Sequence, residues 1–403
     1  MNILWGIIGI CIVLGIAFLL SNAKKSINLR TILVGLTIQI LFAFIVLKWQ
    51  AGRQALLALS TGIQNLISYA NEGISFVFGS LANSDQLGMI FAVSVLSIII
   101  FFSSLISVLY YLGIMQFFIR IIGGGLSRLL GTSKAESVSA AANIFVGQTE
   151  APLVVRPFIA NMTKSELFAV MTGGLASVSG SVLAGYALLG VPLEYLLAAS
   201  FMAAPAGLVL AKILIPETDA VDEENFELEK DHTSANVIDA AARGASDGLM
   251  LAVNVGAMLL AFIGIIALVN GLLSGLGGIF GFESLTLQGI LGIIFSPLAF
   301  AIGVPWSEAI QAGSFIGQKL VLNEFVAYSA FAPVIPDLSS KTVLVVSFAL
   351  CGFANLSSMA ILLGGLGSLV PSRREDIARL GIRAVAAGML ASLLSAAIAG
   401  MFI

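Results

Sequence analysis

The sequence predicts an all-α polytopic membrane protein, and three observations support this fold class. Of the 403 residues, 59% are hydrophobic and only 10% are charged, whereas a water-soluble domain needs a more polar surface. Several apolar stretches reach the roughly 20 residues that a helix needs to cross a hydrocarbon layer about 30 Å thick. A few polar clusters interrupt these stretches, and they mark candidate functional sites because polar groups are costly inside a membrane.

Eight apolar segments are long enough to be transmembrane helices. Two further segments, about 54–82 and about 116–130, are amphipathic. We expect the first to lie as an interfacial helix on the outer membrane surface and the second on the inner face. The eight predicted spans cover residues about 3–20, 31–47, 88–113, 166–189, 193–215, 249–272, 342–363 and 380–402.

Basic residues set the predicted topology, because Lys and Arg are concentrated in cytoplasmic segments. They follow the first and third spans and precede the last one. We therefore expect a multi-pass protein of the cell membrane with both termini outside, whose first span is an anchor and not a cleaved signal peptide. The residues concerned are Lys24, Lys25, Arg30, Arg120, Arg128, Lys134, Arg373, Arg374, Arg379 and Arg383.

Two segments, 134–158 and 287–331, are apolar but carry polar residues at their centres. If either crossed the membrane once, the basic segments downstream would lie on the wrong side. We therefore predict two re-entrant hairpins, the first entering from inside and the second from outside. Their motifs follow in the same order, "VGQTEAPLV" in the first and "VLNEFVAYS" in the second. Opposed hairpins of this kind form an inverted repeat, an architecture that many secondary transporters use.

Two carboxylates, Glu150 and Glu324, fall at the matching tips of these hairpins. An acidic residue at membrane depth is a functional candidate by default. The alternative is an ion pair that only holds helices together, with Arg156 or Lys319 as the partner. The neutral hydrogen-bonding residues beside each acid favour a polar, uncharged ligand.

Each hairpin is followed by an interrupted span, "GGLASVSGS" in the first repeat and "CGFANLSS" in the second. Gly173, Gly174 and Gly352 indicate either close helix packing or local unwinding that exposes backbone groups. Packing alone explains Asn355 poorly, because an amide in hydrocarbon needs hydrogen-bond partners.

These segments divide the chain into five predicted parts. The first contains the amino-terminal helices, the outer amphipathic helix and a scaffold span. A hairpin repeat, an acidic cytoplasmic linker, a second scaffold span with its connection, and the second hairpin repeat follow. Their predicted boundaries are 1–130, 131–215, 216–246, 247–286 and 287–403.

The titratable residues argue against an enzyme. The chain has one histidine, His232, and two cysteines, Cys11 and Cys351, which both fall in apolar spans. Neither a zinc centre nor a disulfide framework is expected from this set. An intramembrane hydrolase would need a base beside its nucleophilic serine, and the motifs supply none. A passive pore is a further alternative, but an inverted repeat favours alternating access.

Four motifs occur in order along the chain: "ANIFVGQTEAPLVVRPFIANMTKSELFAVMTGGLASVSGSVLAGYA", "GVPWSEA", "NEFVAY" and "CGFANLSS". Together they resemble the concentrative nucleoside transporters, and the resemblance covers nearly the whole chain. It implies a homotrimer with a central scaffold, in which three transport domains carry nucleosides inward by an elevator-type movement. The implied partners are the nucleoside, membrane lipid and other copies of the chain, with no nucleic acid and no cofactor besides the coupling ion.

The resemblance also implies roles for the matching residues in substrate binding. Amide, hydroxyl and carboxyl groups of the first hairpin would bind the nucleobase, and those of the second repeat would hold the ribose hydroxyls. Apolar side chains would pack against the base or the ribose. The implied residues are Gln148 and Thr149 for the base, Glu150 for base and ribose through water, Glu324, Asn355 and Ser358 for the ribose, and Val182, Leu251 and Phe353 for apolar contacts.

Sodium is the expected coupling ion, and proton coupling is the nearest alternative. The resemblance implies side-chain oxygens of Asn143 and Ser177 and backbone carbonyls of Val146 and Val178 as ligands. Asn143 favours sodium because proton-coupled relatives can lack that amide, and oxygen ligands suit a hard cation. A carboxylate with a raised pKa is the group that would carry a proton instead.

Overall fold

The structure is a computed structural model that describes residues 2–82, 89–221, 234–279 and 285–403. Within these ranges all regular secondary structure is helical, which confirms the predicted all-α fold. Residues 222–233 of the predicted acidic linker, which include His232, lie outside the described residues. The end of that predicted linker, from residue 237 to 246, is not a loop but the first part of the helix Val237–Ile279.

Seven helical segments are long and apolar enough to cross a membrane, and each overlaps a predicted span, although Val237–Ile279 extends well beyond the predicted 249–272 at both ends. The remaining predicted span, 342–363, is instead two shorter apolar helices, Ser340–Leu350 and Ser358–Leu369. An eighth possible crossing is a pair of helices, bent by 116° between Ala301 and Trp306. The seven segments are Asn2–Leu19, Leu29–Lys48, Ala92–Tyr111, Lys164–Leu188, Leu193–Leu214, Val237–Ile279 and Pro371–Ala399.

Among the described residues of the amino-terminal part there are five α-helices. The two that were predicted to be amphipathic bury one face each: buried residues of the third helix, such as Leu56, Ser60, Ile67 and Ile74, recur every three, four or seven positions. The five helices are α1 (Asn2–Leu19), α2 (Leu29–Ala43), α3 (Gln50–Phe78), α4 (Ser97–Tyr111) and α5 (Ile114–Leu130).

The first hairpin repeat begins with a short helix and ends with a long one. Side-chain caps start its helices: Ser133 and Glu136 form a capping box before the first, and Thr163 and Glu166 form another before the second. The helices of this repeat are α6 (Lys134–Ala142), α7 (Lys164–Ala176), α8 (Gly180–Leu188) and α9 (Leu193–Leu214).

The second repeat follows the long helix α10 (Val237–Ile279). The interval 287–331, which was predicted as one hairpin, contains three helices, and the helix–turn–helix with Glu324 at its turn is formed by the last two. Asn323 and Ser339 cap the helices that follow them. The helices are α11 (Leu287–Ala301), α12 (Trp306–Val321), α13 (Glu324–Phe331), α14 (Ser340–Leu350), α15 (Ser358–Gly364) and α16 (Arg374–Ala399).

Burial separates an inner bundle from peripheral helices. In the apolar stretches of Lys164–Leu188 and Leu193–Leu214, 94% of the residues are buried, whereas only 22% are buried in Asn2–Leu19 and Val237–Ile279. Exposed leucines and isoleucines cover the peripheral helices, as expected for surfaces that face lipid or another subunit. The interrupted helices therefore lie in the protein interior, where unwound backbone is tolerated.

Candidate functional site

The two interrupted helices touch each other at their breaks. The first break separates α7 from α8, and the second separates α14 from α15. The backbone N–H of Phe353 donates to the carbonyl of Ser177 at 3.1 Å. Gly352 is packed so closely that a Cβ atom would lie 2.9 Å from the carbonyl oxygen of Ala176 and 2.7 Å from Ser392 Oγ. A larger residue would push the two breaks apart.

The glycines of the first break have a different role. Gly173 and Gly174 lie within α7, before the break. A Cβ on Gly173 would lie 3.4 Å from Asn143 Nδ2, and a Cβ on Gly174 would lie 2.9 Å from Gln148 Cβ. These two glycines therefore allow close packing against the first hairpin, whereas Gly352 is part of an unwound segment.

The tip of the first hairpin, residues 143–150, folds back on itself. The Glu150 carboxylate accepts a hydrogen bond from the Gly147 N–H. The Phe145 carbonyl accepts one from the Gly180 N–H at 3.0 Å, which joins the tip to the first residue of α8. The hairpin and the break of the first repeat are therefore one connected unit.

Several oxygens in this unit are buried without a hydrogen-bond partner among the described residues. They include Asn143 Oδ1 and Gln148 Oε1, and nearby Ser139 Oγ and Thr172 Oγ1. Buried polar groups in proteins are paired in the large majority of cases. Such oxygens are suited to bind a cation or a polar ligand.

The structure also brings the four predicted sodium ligands to one region. Asn143 Nδ2 donates to the Ser139 carbonyl at 2.9 Å, which leaves Oδ1 as its unpartnered atom. Ser177 Oγ donates to the carbonyl of Gly173 at 3.1 Å. Gly173 is also the residue that packs against Asn143. Val146 and Val178 are buried beside these residues, one in the tip and one in the break. All the ligands that this set offers are oxygen atoms, which are the ligands that a hard cation such as sodium prefers.

Glu324 lies at the second tip as the first residue of α13, and its side chain is buried. Its carboxylate accepts from Asn355 Nδ2 at 3.0 Å and from Tyr186 Oη at 3.2 Å. Asn355 Oδ1 in turn accepts from the Ser358 N–H at 2.9 Å. The structure therefore joins Glu324, Asn355 and Ser358, which the resemblance implied as ribose ligands, in one hydrogen-bonded cluster.

A cleft of about 530 Å³ opens beside the first tip, between α4, α8 and α10. Glu150, Val146 and Leu251 line it, together with Ser179 and Ser181 at the start of α8. Arg156, Arg243 and Asp247 add charge to its wall.

The other predicted substrate residues do not line this cleft. Val182 is buried in α8, one residue beyond Ser181. Phe353 is partly buried at the second break. Thr149 packs against the segment after α15, where a Cβ on Gly365 would lie 2.8 Å from its methyl group.

Neither tip carboxylate belongs to an ion pair among the described residues. Lys319, one of the suggested partners, donates instead to the Ala349 carbonyl at 2.8 Å and to Ser392 Oγ at 3.1 Å. The acids are therefore not helix staples of the kind considered as the alternative.

Two features of the site were missed in the sequence. Tyr186 touches Glu324 and stacks on Tyr328 with a centroid distance of 4.4 Å; its position four residues after Val182 was the available signal. The second is a buried ion pair at the base of the first hairpin, where Lys212 Nζ lies 2.7 Å from Glu136 Oε2. No local sequence pattern predicts that ion pair, because its two residues are far apart in the chain.

Known families match along most of the chain. The profile described as "Na+ dependent nucleoside transporter N-terminus" matches residues 8–81 and "Nucleoside recognition" matches residues 92–193. The profile described as "Na+ dependent nucleoside transporter C-terminus" matches residues 195–400.

Full-length relatives are also similar. The nucleoside permease NupC of Helicobacter pylori is 52% identical, over 99% of this chain and 98% of its own length. The uncharacterized transporter YutK of Bacillus subtilis is 63% identical over 100% of both chains. The sodium/nucleoside cotransporter 2 of Rattus norvegicus is 39% identical over 98% of this chain, which spans 62% of the rat protein.

Solved structures of CNTnw have the same fold. CNTnw in an inward-facing substrate-bound state is 56% identical with a TM-score of 0.95, and the match covers 100% of this chain and 98% of that one. A doubly substituted CNTnw in an outward-facing state gives a TM-score of 0.97 at 56% identity, with the same coverage.

Proposed function

This chain belongs to the family of sodium-dependent nucleoside transporters, and from that premise we propose that it imports nucleosides together with sodium ions. Its relatives are permeases and cotransporters, which confirms the prediction that it is not an enzyme. The proposal concerns the substrate, the coupling ion, the movement and the assembly of this particular chain.

The cluster of Glu324, Asn355 and Ser358 is the observation that carries the proposal. A ribose offers a vicinal diol, whose two hydroxyls lose water on entering a buried site. A carboxylate is a strong acceptor for hydroxyl groups, and charge-assisted hydrogen bonds are about twice as strong as neutral ones. Glu324 accepts from two side-chain donors and has acceptor capacity left, since a carboxylate offers about four lone-pair sites.

The first hairpin supplies the complementary groups for a nucleobase. Gln148 Oε1 is a buried acceptor without a partner among the described residues, and Thr149 and Glu150 follow it at the tip. Amide groups of this kind can replace the water that a base edge loses. Leu251, Val182 and Phe353 supply the apolar surface against which a planar base or a ribose packs.

Sodium coupling is supported by the oxygen donors around the first break. Asn143 Oδ1 is buried and unpartnered, and the carbonyls of Val146 and Val178 and the hydroxyl of Ser177 complete the proposed ligand set. Each sodium ion that enters with a nucleoside moves down its own gradient and drives accumulation. In a proton-coupled protein these oxygens would have no cation to hold.

The proposed movement is an elevator-type transition of the two hairpin repeats against a scaffold within a homotrimer. CNTnw has been captured in inward-facing and outward-facing states. In this chain the cleft beside Glu150 is lined by Arg243 and Asp247 at the start of α10, next to the predicted cytoplasmic linker.

The test is uptake of radiolabelled uridine, adenosine and inosine into proteoliposomes, with sodium and proton gradients imposed separately. We expect concentrative uptake of at least one nucleoside that requires an inward sodium gradient. Uptake that follows the pH gradient and ignores sodium would replace the coupling ion by a proton. Equilibration without accumulation would contradict secondary active transport.

A further inference from the structure

Lys319 is a buried cation that the proposed transport cycle does not use. It lies in the last turn of α12, and none of its surface is exposed. It forms no ion pair among the described residues. A buried ammonium group without compensation costs several kcal/mol, so its place in the interior needs a physical reason.

The ammonium group binds the carboxyl-terminal end of α14. It donates to the carbonyl of Ala349, in the last turn of the helix, and to Ser392 Oγ. Ser392 Oγ in turn donates to the carbonyl of Cys351 at 3.1 Å. The last carbonyls of a helix lack intrahelical partners and carry partial negative charge, so a cation is favoured at this end.

The same point of the first repeat is where we propose that sodium binds. Ser177 follows Glu150 by the same number of residues as Cys351 follows Glu324. Asn143 and Lys319 each lie at the end of the helix that leads into their hairpin tip. The first repeat presents unpartnered oxygens at this point, whereas the second repeat presents an ammonium group that holds carbonyl oxygens.

The ammonium group also acts on the tip carboxylate. Lys319 precedes Glu324 by five residues, across the end of α12 and the short tip, and both side chains are buried. Opposite charges attract more strongly in the protein interior than in water. The ammonium group is therefore a buried positive charge placed near the Glu324 carboxylate, the group that would accept hydrogen bonds from a ribose.

We propose that the Lys319 ammonium group is the built-in cation of the second repeat. It occupies the position that corresponds to the sodium site of the first repeat, holds the unwound end of α14, and keeps Glu324 available as a charged acceptor. The inference rests on the proposed function, because it assigns Glu324 to the ribose. Lys319 is thus a positioning residue, which touches no substrate.

The first experiment compares Lys319→Met, which removes the charge at similar length, with Lys319→Arg, which keeps it. Binding of uridine and of 3′-deoxyuridine to purified protein is measured at saturating sodium. For Lys319→Met we expect the ratio of the two affinities to fall about tenfold, because a charge-assisted hydrogen bond to the 3′-hydroxyl is lost. For Lys319→Arg we expect the ratio to stay within about threefold of the wild type. An equal loss of affinity for both nucleosides, or no loss, would overturn the proposal.

The second experiment needs no substrate and applies also if Lys319→Met folds poorly. Melting temperatures or yields of folded protein are compared for Lys319→Met, Glu324→Gln and the double variant. Removal of the lysine alone leaves a buried, uncompensated carboxylate, so the double variant should be more stable than Lys319→Met. Charge compensation is contradicted if the double variant loses as much stability as the two single variants together. It is also contradicted if neither the double variant nor Lys319→Met folds.

Measurements on the wild-type protein distinguish a failure of the proposed function from a failure of the role assigned to Lys319. If it neither binds nor transports a nucleoside, the proposed function is wrong, and the stability comparison still decides whether Lys319 compensates Glu324. If it transports uridine and the Lys319→Met variant keeps the wild-type discrimination against 3′-deoxyuridine, only the role of Lys319 is wrong.

Discussion

The two hairpins have the same order of elements, but their buried polar groups differ in their hydrogen-bond partners. Each contains a helix, a tip with a glutamate, and an interrupted helix whose break touches the other break. At the second tip, Glu324 has two side-chain donors, and Lys319 holds the adjacent carbonyl. At the first tip, the side-chain oxygens of Asn143 and Gln148 are buried and have no hydrogen-bond partner among the described residues. Among the described residues, the polar groups of the second tip are paired within the protein, whereas the first tip leaves buried oxygens available to the proposed ligands.

The bases of the hairpins show the opposite distribution of charge. At the base of the first, Lys212 lies between the carboxylates of Glu136 at 2.7 Å and Glu217 at 3.4 Å. At the base of the second, the Glu308 carboxylate accepts only neutral donors, the N–H and hydroxyl of Ser339. The first hairpin is therefore anchored by charges at its base, and its tip carries the buried oxygens to which the proposed ligands would bind.

The largest effect is expected from Lys212→Met at the base of the first hairpin. It leaves Glu136, which is 1% exposed, as a buried charge without its partner. Removing one member of a buried ion pair costs about 3–5 kcal/mol, so the melting temperature of the purified protein should fall clearly. The matched variant Lys212→Met with Glu136→Gln should recover much of that loss, and a double variant no more stable than the single one would show that the pair does not anchor the hairpin.

The next largest effect is expected from Glu324→Gln at the second tip. It keeps the shape of the side chain but removes the charge that accepts from the ribose. A hydrogen bond to a charged group contributes about 1.5–3 kcal/mol, which is roughly 10- to 150-fold in affinity. Uridine binding should fall by this factor, and binding of a nucleoside without ribose hydroxyls should change little. Wild-type uridine affinity in this variant would remove Glu324 from the ribose site.

A smaller effect, on the cation and not on the nucleoside, is expected from Asn143→Ala at the first tip. The sodium concentration for half-maximal uptake should rise about tenfold, which corresponds to 1.4 kcal/mol, because one oxygen ligand is lost. Asn161→Ala is the matched control, since Asn161 is exposed beyond the same hairpin. An unchanged sodium dependence in Asn143→Ala would place the coupling ion elsewhere and remove the contrast between the tips.

The smallest effect is expected from Tyr186→Phe. The variant keeps the stacked ring and removes one hydrogen bond of 3.2 Å to Glu324, which is worth about 1 kcal/mol, or roughly fivefold in uridine affinity. Tyr69→Phe, on the exposed face of α3, is the control. If both variants bind uridine like the wild type, Asn355 alone orients the carboxylate.

The sequence predicted the elements better than their mutual contacts. Long apolar runs identified seven of the spans, and the motifs around Glu150 and Glu324 identified both tips, because these signals are local. The span predicted at 342–363 is two helices, since the same glycine and polar residues that suggested a site also end α14.

Local sequence patterns of this kind do not predict which distant segments of the chain contact each other. Lys212 and Glu136 meet although they belong to different helices, and in the sequence each resembles an ordinary charge near a helix end. Tyr186 lies in an apolar run, where a tyrosine is typical of packing, and only the folded protein brings Glu324 to its hydroxyl.

The hydrogen bond between the Phe353 N–H and the Ser177 carbonyl links the two repeats through main-chain atoms alone. Alanine at position 177 or 353 leaves both atoms in place, so an alanine scan of these two residues does not test the hydrogen bond itself. Proline at position 353, which has no amide hydrogen, or an ester in the main chain removes it directly. The junction is therefore free to persist while the surrounding side chains drift, and the specificity of either half can evolve without separating the two.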